Sequence, residues 1–316
     1  MSTDQSTRRA PRRGGRTPSA GDPRGKRLLV RLEPWLFALP AIAVCTLVVT
    51  VPIGWSLTLS LFQWDGVSPM RFVGIENYFR LLSDQVLRTA FLNNLVFTFV
   101  GTLVQFAVGM ALALLLLSLK RFRNLFKVAY FIPCIISSVA ISLVFERLLS
   151  ANPEGVVNAV FRTLGLTAFQ GAYLSDPNLT LIIVTLVDAY KFWGIYMIIY
   201  YAAFMAVDGE VLEAASLDGA NWWQQYVYLK FPLIKGIVLV TMVMLVSGTL
   251  KAFDVPFILT NGGPGAASEL VATHMYKTIF TSSDFGYGSA VAMFLVVECL
   301  VIVAIIRRVF RSEEVE

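Results

Sequence analysis

Charge is scarce in this chain, and so are the residues that build catalytic or metal centres. Asp, Glu, Lys and Arg make up 15% of its 316 residues, against about 25% in an average soluble domain. A single histidine, His274, argues against a histidine-based metal centre within one chain. The three cysteines, Cys45, Cys134 and Cys299, all lie inside apolar runs. Neither a disulfide framework nor a zinc pattern can be drawn from them. No phosphate-binding G-x-x-x-x-G-K-[ST] occurs, and the nearest Gly25-Lys26 is followed by Arg27. The chain therefore cannot hydrolyse ATP through a P-loop of its own. No nucleophile elbow, metal triad or paired-carboxylate motif stands out either.

What the chain has in quantity is apolar length. Hydrophobic residues make up 56% and aromatic residues 13%. Six segments reach the roughly 20 apolar residues that a crossing needs: Trp35–Phe62, Phe91–Leu119, Phe126–Phe145, Leu179–Met205, Ile237–Leu259 and Ala290–Ile306. Pro40 and Pro52 in the first, Pro133 in the third and Pro256 in the fifth predict bends or irregular ends. This is an all-α membrane protein, with a basic tail over 1–31, a six-helix domain over 32–310 and a short tail over 311–316. The tail over 1–31 carries nine Arg or Lys against two Asp and reads as disordered. It reads as a cytoplasmic topology anchor in preference to a nucleic-acid or lipid contact, because positive residues flanking a first span set orientation. Lys120, Arg121, Arg123 and Lys127 crowd the link between spans two and three, and Arg307, Arg308 and Arg311 follow span six. By the positive-inside rule, both termini and the 208–235 loop are cytoplasmic. Segments 63–90, 146–178 and 260–289 face outward as ordered caps.

The 208–235 loop reads as folded. Asp208 is placed to cap a first helix with Glu210 in its first turn. Gly219 closes that helix in a left-handed conformation. Asn221 caps a second, with Gln224 completing a capping box, and Pro232 is expected to end it. Within the knob, Ala214 and Ala215 allow close approach, Glu213 offers a carboxylate, and Leu212, Leu217, Trp222 and Trp223 offer apolar anchors. Two readings follow: a docking surface for a partner, or a helix pair lying on the bilayer.

Charges also stand inside the spans. Asp188 and Lys191 share span four, and Lys251 and Asp254 share span five, each pair at i,i+3 spacing. Both lysines lie roughly 25 Å from the loop at 1.5 Å per residue. Charges at that depth must face a cavity or a partner. They either line a pocket or lock two helices through ion pairs. Asn93, Asn94 and Gln105 in span two read as helix-to-helix hydrogen bonders, and Glu298 as a helix–helix or cavity residue.

Glu213-Ala214-Ala215, Gly219 and Phe231-Pro232 together resemble the EAA loop of bacterial ABC importer permeases. Phe72-Val-Gly-Ile-Glu-Asn-Tyr78, Leu259-Thr-Asn-Gly-Gly-Pro264 and Asp218-Gly-Ala-Asn-Trp-Trp-Gln224 resemble further signatures of the carbohydrate type, first permease of a two-permease pair. The likeness covers roughly residues 35–308. Phe231 replaces the leucine usual before the proline, a conservative change at a helix end. The resemblance implies a cytoplasmic-membrane complex with a second permease, two ATP-binding subunits that hold ATP and Mg, and an extracytoplasmic solute-binding protein. It implies that Glu213, Ala214, Ala215, Leu217, Asp218, Gly219 and Trp222 dock the ATPase. It also implies that spans four and five line a pocket for sugars or sugar-like solutes. Candidate contacts there are Asp188, Tyr190, Lys191, Trp193, Tyr196, Thr249, Lys251, Phe253 and Asp254. The alternative is an ion-coupled secondary transporter using the buried carboxylates, with an intramembrane enzyme or scaffold as a third class.

Overall fold

The computed structural model describes residues 38–119 and 121–311. The basic tail over 1–31, Trp35 at the start of the first span, and residues 312–316 lie outside them. The described residues divide into two units at the step from Gly54 to Trp55. Helix α1, Ala38–Leu59, is strongly apolar and carries no charged residue. It widens into a π-helical stretch over Thr46–Thr50, just ahead of Pro52. A proline lacks an N–H, and its ring crowds the carbonyl four residues back, so a wider turn in front relieves both constraints.

The second unit opens with a two-residue antiparallel pairing of β1 (Phe62–Gln63) and β2 (Arg71–Phe72). Then come α2 (Glu76–Ser83), α3 (Gln85–Ser118), α4 (Arg123–Ile135), α5 (Ser138–Leu149), α6 (Val156–Thr163) and α7 (Thr180–Met205). The loop contributes α8 (Gly209–Leu217) and α9, which starts at Trp222–Gln224 and runs on through a π-helical Gln225–Lys230 into Phe231–Leu233. Helices α10 (Lys235–Leu250), α11 (Asp254–Thr260), α12 (Val271–Tyr276) and α13 (Phe285–Arg311) complete the fold. Among the described residues, α1, α3, α7, the α10–α11 run and α13 are each long and apolar enough to cross a membrane. The pair α4 and α5 supplies a sixth span only as a broken one, bent by 97°.

That bend agrees with the irregularity expected from Pro133 within Phe126–Phe145, and is sharp enough to split the span into two helices. Pro133 sits near the end of α4, and the chain then takes two extended steps at Ile136 and Ser137 before α5 starts. Span five also breaks, at 251–253 and upstream of Pro256. Pro256 falls in the first turn of α11, where a backbone N–H has no intrahelical partner to lose. The expectation that Pro232 ends the second loop helix is corrected. Phe231 N–H reaches back to Tyr226 O in the π register, and Ile234 N–H still reaches Lys230 O at 3.1 Å. As at Pro52, a wide turn ahead of the proline lets the helix carry on.

The core is built on α3 against α7. A Cβ added at Gly101 would touch Thr185, and one added at Gly109 would touch Tyr196 and Met197. The two helices therefore run the same way, and the start of α3 lies at the end opposite the 208–235 loop. Small residues suit such a seam, because within lipid helices gain mainly from close packing. Ala113, Leu116, Met197, Tyr200 and Leu245 are buried around it. Gly194 lets α4 approach α7 as closely: a Cβ there would sit 2.2 Å from the Tyr130 carbonyl oxygen.

The far end is tied by polar contacts. Asp84 caps α3, accepting from the Val86 and Leu87 amides at 2.8 and 3.0 Å. Its other oxygen meets the Tyr287 hydroxyl at 2.6 Å and His274 Nε2 at 3.2 Å. Arg80 pairs with Asp284 at 2.6 Å and covers the Tyr287 ring. Asn77 donates to the carbonyls of Ser60 and Phe62, both at 2.9 Å. Burial opposes ionisation of Asp84, but the Tyr287 hydroxyl, the two amides and His274 outweigh it and hold the carboxyl below its usual range.

Gly194→Ala should destabilise the purified protein by about 1–3 kcal/mol through overpacking. Gly236→Ala, where an added Cβ meets nothing within 4 Å, should be neutral or mildly stabilising; equal unfolding midpoints for the two variants would refute the tight-contact account. Asp84 is lowered in the fold, so its contribution is complete above the ordinary aspartate value of about 3.9 and is lost as pH falls through the folded value. Thermal stability should drop on acidification below that point, and Asp84→Asn should flatten the drop.

Candidate functional site

Two helix breaks and one buried lysine meet in the middle of the second unit. Lys191, on α7, is only 7% exposed. An ammonium at that depth is costly unless it is hydrogen-bonded. It donates to the Ser138 hydroxyl and lies 4.8 Å from the Phe192 ring centroid. Ser138 Oγ in turn donates to Asp254 Oδ2 at 3.1 Å. A hydroxyl has one proton. With Lys191 occupying a lone pair, that proton is directed to the carboxylate. Ser138 is the first residue of α5 after the bend, and Asp254 is the first residue of α11 after the span-five break. A carboxylate at a helix start suits the positive end of the helix dipole.

Beside this chain of contacts lies a cavity of about 380 Å³, walled by α3, α5, α7, α10 and α11. Of the sequence candidates, it brings together Asp188, Tyr196, Thr249, Lys251, Phe253 and Asp254. Asp188 is buried and interacts electrostatically with both Lys191 and Asp254. Thr249 spends its hydroxyl proton on the Leu245 and Val246 carbonyls at 3.0 and 3.2 Å. The other three candidates are not on the wall. Tyr190 packs edge-on against Phe145 and Trp193. The Trp193 indole N–H is buried with no hydrogen-bond partner among the described residues. Lys191 stands behind Ser138. Between the two readings of the charges, the contacts are mixed: Lys191 and Asp254 are joined, but through a serine of a third helix, and Asp254 and Lys251 remain exposed.

Sequence reasoning passed over Ser138, Phe192 and Met244, which also stand on the wall, and assigned Gln105 to helix contacts. The signal for Ser138 was available: Ser137 and Ser138 are a polar pair four residues past Pro133 in the middle of an apolar run. Asn93 does bond across elements, donating to the carbonyls of Ala266, Ala267 and Glu269 at 3.0–3.2 Å. Asn94 donates to Glu298 Oε1 at 2.9 Å and to Leu250 O at 3.3 Å.

The second feature is the loop. Asp208 accepts from the Glu210 amide at 3.0 Å. Gly219 adopts φ +84°, and the Ala220 N–H closes onto Ala215 O at 2.9 Å. Asn221 and Gln224 form the reciprocal capping box at 2.8 and 2.9 Å. Gln225 staples the two helices by donating to Ser216 Oγ and Ala220 O. Glu213, Ala214, Leu217, Asp218, Gly219 and Trp222 are exposed, Leu217 by 90%, and Ala215 is half-buried. A cleft of about 400 Å³ opens along Ala215, Asp218, Gly219, Gln224 and Tyr228. Tyr226 anchors the knob: its ring meets Trp222 at 4.4 Å, Phe204 near the end of α7 at 5.9 Å, and the Lys230 ammonium at 4.2 Å.

Comparison with known proteins agrees with this architecture. The family model described as the inner membrane component of binding-protein-dependent transport systems matches residues 105–313. YurN of Bacillus subtilis, a probable ABC transporter permease protein, is 33% identical over 290 residues, covering 90% of this chain and 98% of that protein. LacF of Rhizobium radiobacter, a lactose transport system permease protein, is 31% identical over 266 residues, covering 83% and 88%. The fold is shared with a chain in the crystal structure of a bacterial ABC transporter involved in the import of the acidic polysaccharide alginate. That likeness has a TM-score of 0.78 at 23% identity, covering 92% of this chain and 99% of the other. The chain therefore belongs to the inner membrane components of binding-protein-dependent transport systems, as the permease and not the ATPase of an ABC importer.

Proposed function

We propose that this permease carries sugars or sugar-like solutes and forms half of the path, with a second, similar permease forming the other half. Two ATP-binding subunits hold ATP and Mg, and an extracytoplasmic binding protein delivers solute. Both termini and the 208–235 loop face the cytoplasm, as the lysines and arginines of the links require. The supporting observation is the cavity: carboxylates at Asp188 and Asp254, an ammonium at Lys251 and a ring at Phe253 stand where two spans break. Hydroxyl-rich solutes need charge-assisted hydrogen bonds together with flat apolar faces, and this wall offers both. LacF, a lactose permease protein, and AraP of Bacillus subtilis, an arabinooligosaccharide permease protein, point to the same solute class.

Coupling runs through the knob. Glu213 presents a carboxylate for a basic group, Ala214 and Ala215 let a partner approach closely, and Leu217 and Trp222 are exposed apolar anchors. The Trp222–Tyr226–Phe204 contacts carry displacement of the knob into α7, the helix that holds Asp188.

Glu213→Ala or Gly219→Val should weaken co-purification of the ATPase and abolish uptake, with solute binding to the permease unchanged. Full ATPase association with full uptake would sink the coupling role. Asp188→Ala or Lys251→Ala should lower solute affinity about tenfold or more, the scale of one hydrogen bond to a charged group, with the complex still assembled. Loss of assembly instead would assign these residues to locking helices together. Proteoliposomes holding this chain alone should take up no solute, and uptake collapsed by an ionophore would revive ion coupling.

A further inference from the structure

The amides inside α3 are spent differently. Asn93 donates to the carbonyls of Ala266, Ala267 and Glu269, and Asn94 donates to Glu298 and to the Leu250 carbonyl. Gln105 is only 2% exposed, yet its side chain makes no hydrogen bond among the described residues. The Thr98 and Ser142 hydroxyls are also unpartnered, but they are fully enclosed. The Gln105 carboxamide instead reaches open space, because it stands on the cavity wall.

Its place on the wall follows from the seam. Gly101 and Gly109 lie one turn before and one turn after it, on the same face of α3. A Cβ at Gly101 would meet Thr185 at 3.4 Å, and one at Gly109 would meet Tyr196 at 3.1 Å. Gln105 therefore stands beside the stretch of α7 between those two residues. Asp188 and Tyr196 belong to that stretch and to the same wall. They are 5% and 7% exposed, and neither the carboxylate nor the phenol is hydrogen-bonded among the described residues. Lys191 and Asp254 act on Asp188 only through space. Nearby hydroxyls are committed: Ser138 to Asp254, Thr249 to the Leu245 and Val246 carbonyls, and Tyr200, one turn past Tyr196, to Thr241.

Buried polar groups are nearly always hydrogen-bonded, and one left unpaired costs stability. Three on one wall mark a place whose partners come from outside the chain. Asp188 and Tyr196 are eight residues apart, about 12 Å along α7 at 1.5 Å per residue, and Gln105 falls between them. The row runs carboxylate, amide, phenol. An ionised carboxylate only accepts, whereas a primary amide offers an acceptor and a donor side by side in one plane. Hydroxyls on adjacent carbons present the matching pair.

We propose that Gln105 is a specificity-determining residue of this permease, whose carboxamide reads two neighbouring hydroxyls of the solute, donating to one and accepting from the other. This role rests on the reading of the cavity as the solute site.

The test measures equilibrium binding to the complete permease–ATPase complex without the binding protein, so that only the cavity selects. Maltose, lactose and their monodeoxy analogues are the probes. Wild type should bind a parent sugar about threefold to tenfold more tightly than an analogue lacking a hydroxyl that Gln105 reads, the scale of one hydrogen bond. Gln105→Leu should bind that parent and that analogue alike. Gln105→Glu keeps the acceptor and loses the donor, so it should still discriminate at one of the two hydroxyls and not at the other. The solute-free Gln105→Leu complex should unfold at the wild-type midpoint or above it, because no internal hydrogen bond is removed. The proposal is overturned if wild type and Gln105→Leu discriminate every analogue equally, or if Gln105→Leu lowers the midpoint, which assigns the amide to helix contacts. If wild type binds neither parent sugar, or Asp188→Ala binds as wild type does, it is the cavity reading that fails.

Discussion

A lysine ammonium held inside a membrane protein has to find an oxygen, and most of this architecture follows from where Lys191 finds one. Ser138 accepts from Lys191 and donates to Asp254. Its single hydroxyl thereby joins α7, α5 and α11. The serine is available because span three breaks just before it, and the carboxylate because span five breaks just before it. Each break leaves helix-end carbonyls and amides without intrahelical partners. Within a bilayer such backbone is tolerated only inside protein or beside a polar cavity. The cavity, the bends and the buried charge are thus one arrangement: removing any of them leaves the others unsatisfied.

The seam of α3 and α7 gives that arrangement a rigid back. Gly109 admits Tyr196 and Met197, and Gly194 admits the backbone of α4 at Tyr130. Helices that close move as a unit. The loop attaches directly to the end of α7, and Tyr226 fills the corner against Phe204. The knob is stiff as well, because its turns are closed by caps and by the Gln225 staple. Displacement at Trp222 therefore has a short path of packed atoms to the helix that carries Asp188 and Lys191.

Much of this was legible in the chain. Capping residues act locally, so Asp208, Gly219, Asn221 and Gln224 could each be placed from their neighbours. Apolar length marked the spans for the same reason. Prolines were harder to read. Pro133 signals a bend, but not its size, which depends on where Ser138 and Lys191 meet. Pro232 was deceptive, because a π turn ahead of it lets the helix continue, and that wide turn carries no composition signal. The pocket residues divided along the same line. Asp188, Lys251 and Asp254 were found because charges in apolar runs are conspicuous. Tyr190 and Trp193 turn away from the cavity, since helical periodicity does not say which side of α7 meets α5. Ser138 was missed because its importance comes from two residues far away in the chain.

One consequence of the Trp222–Tyr226–Phe204 contacts concerns direction. Rings in van der Waals contact resist being pressed together and part freely when pulled, since the repulsive wall is steep and the attraction shallow. A thrust on the knob toward the bilayer is met at once by α7. A withdrawal passes first through the covalent chain at 206–208 and the helix ends that it joins. The joint is therefore stiffer in compression than in tension, and a push and a pull on the knob would act on this subunit through different parts of the same loop.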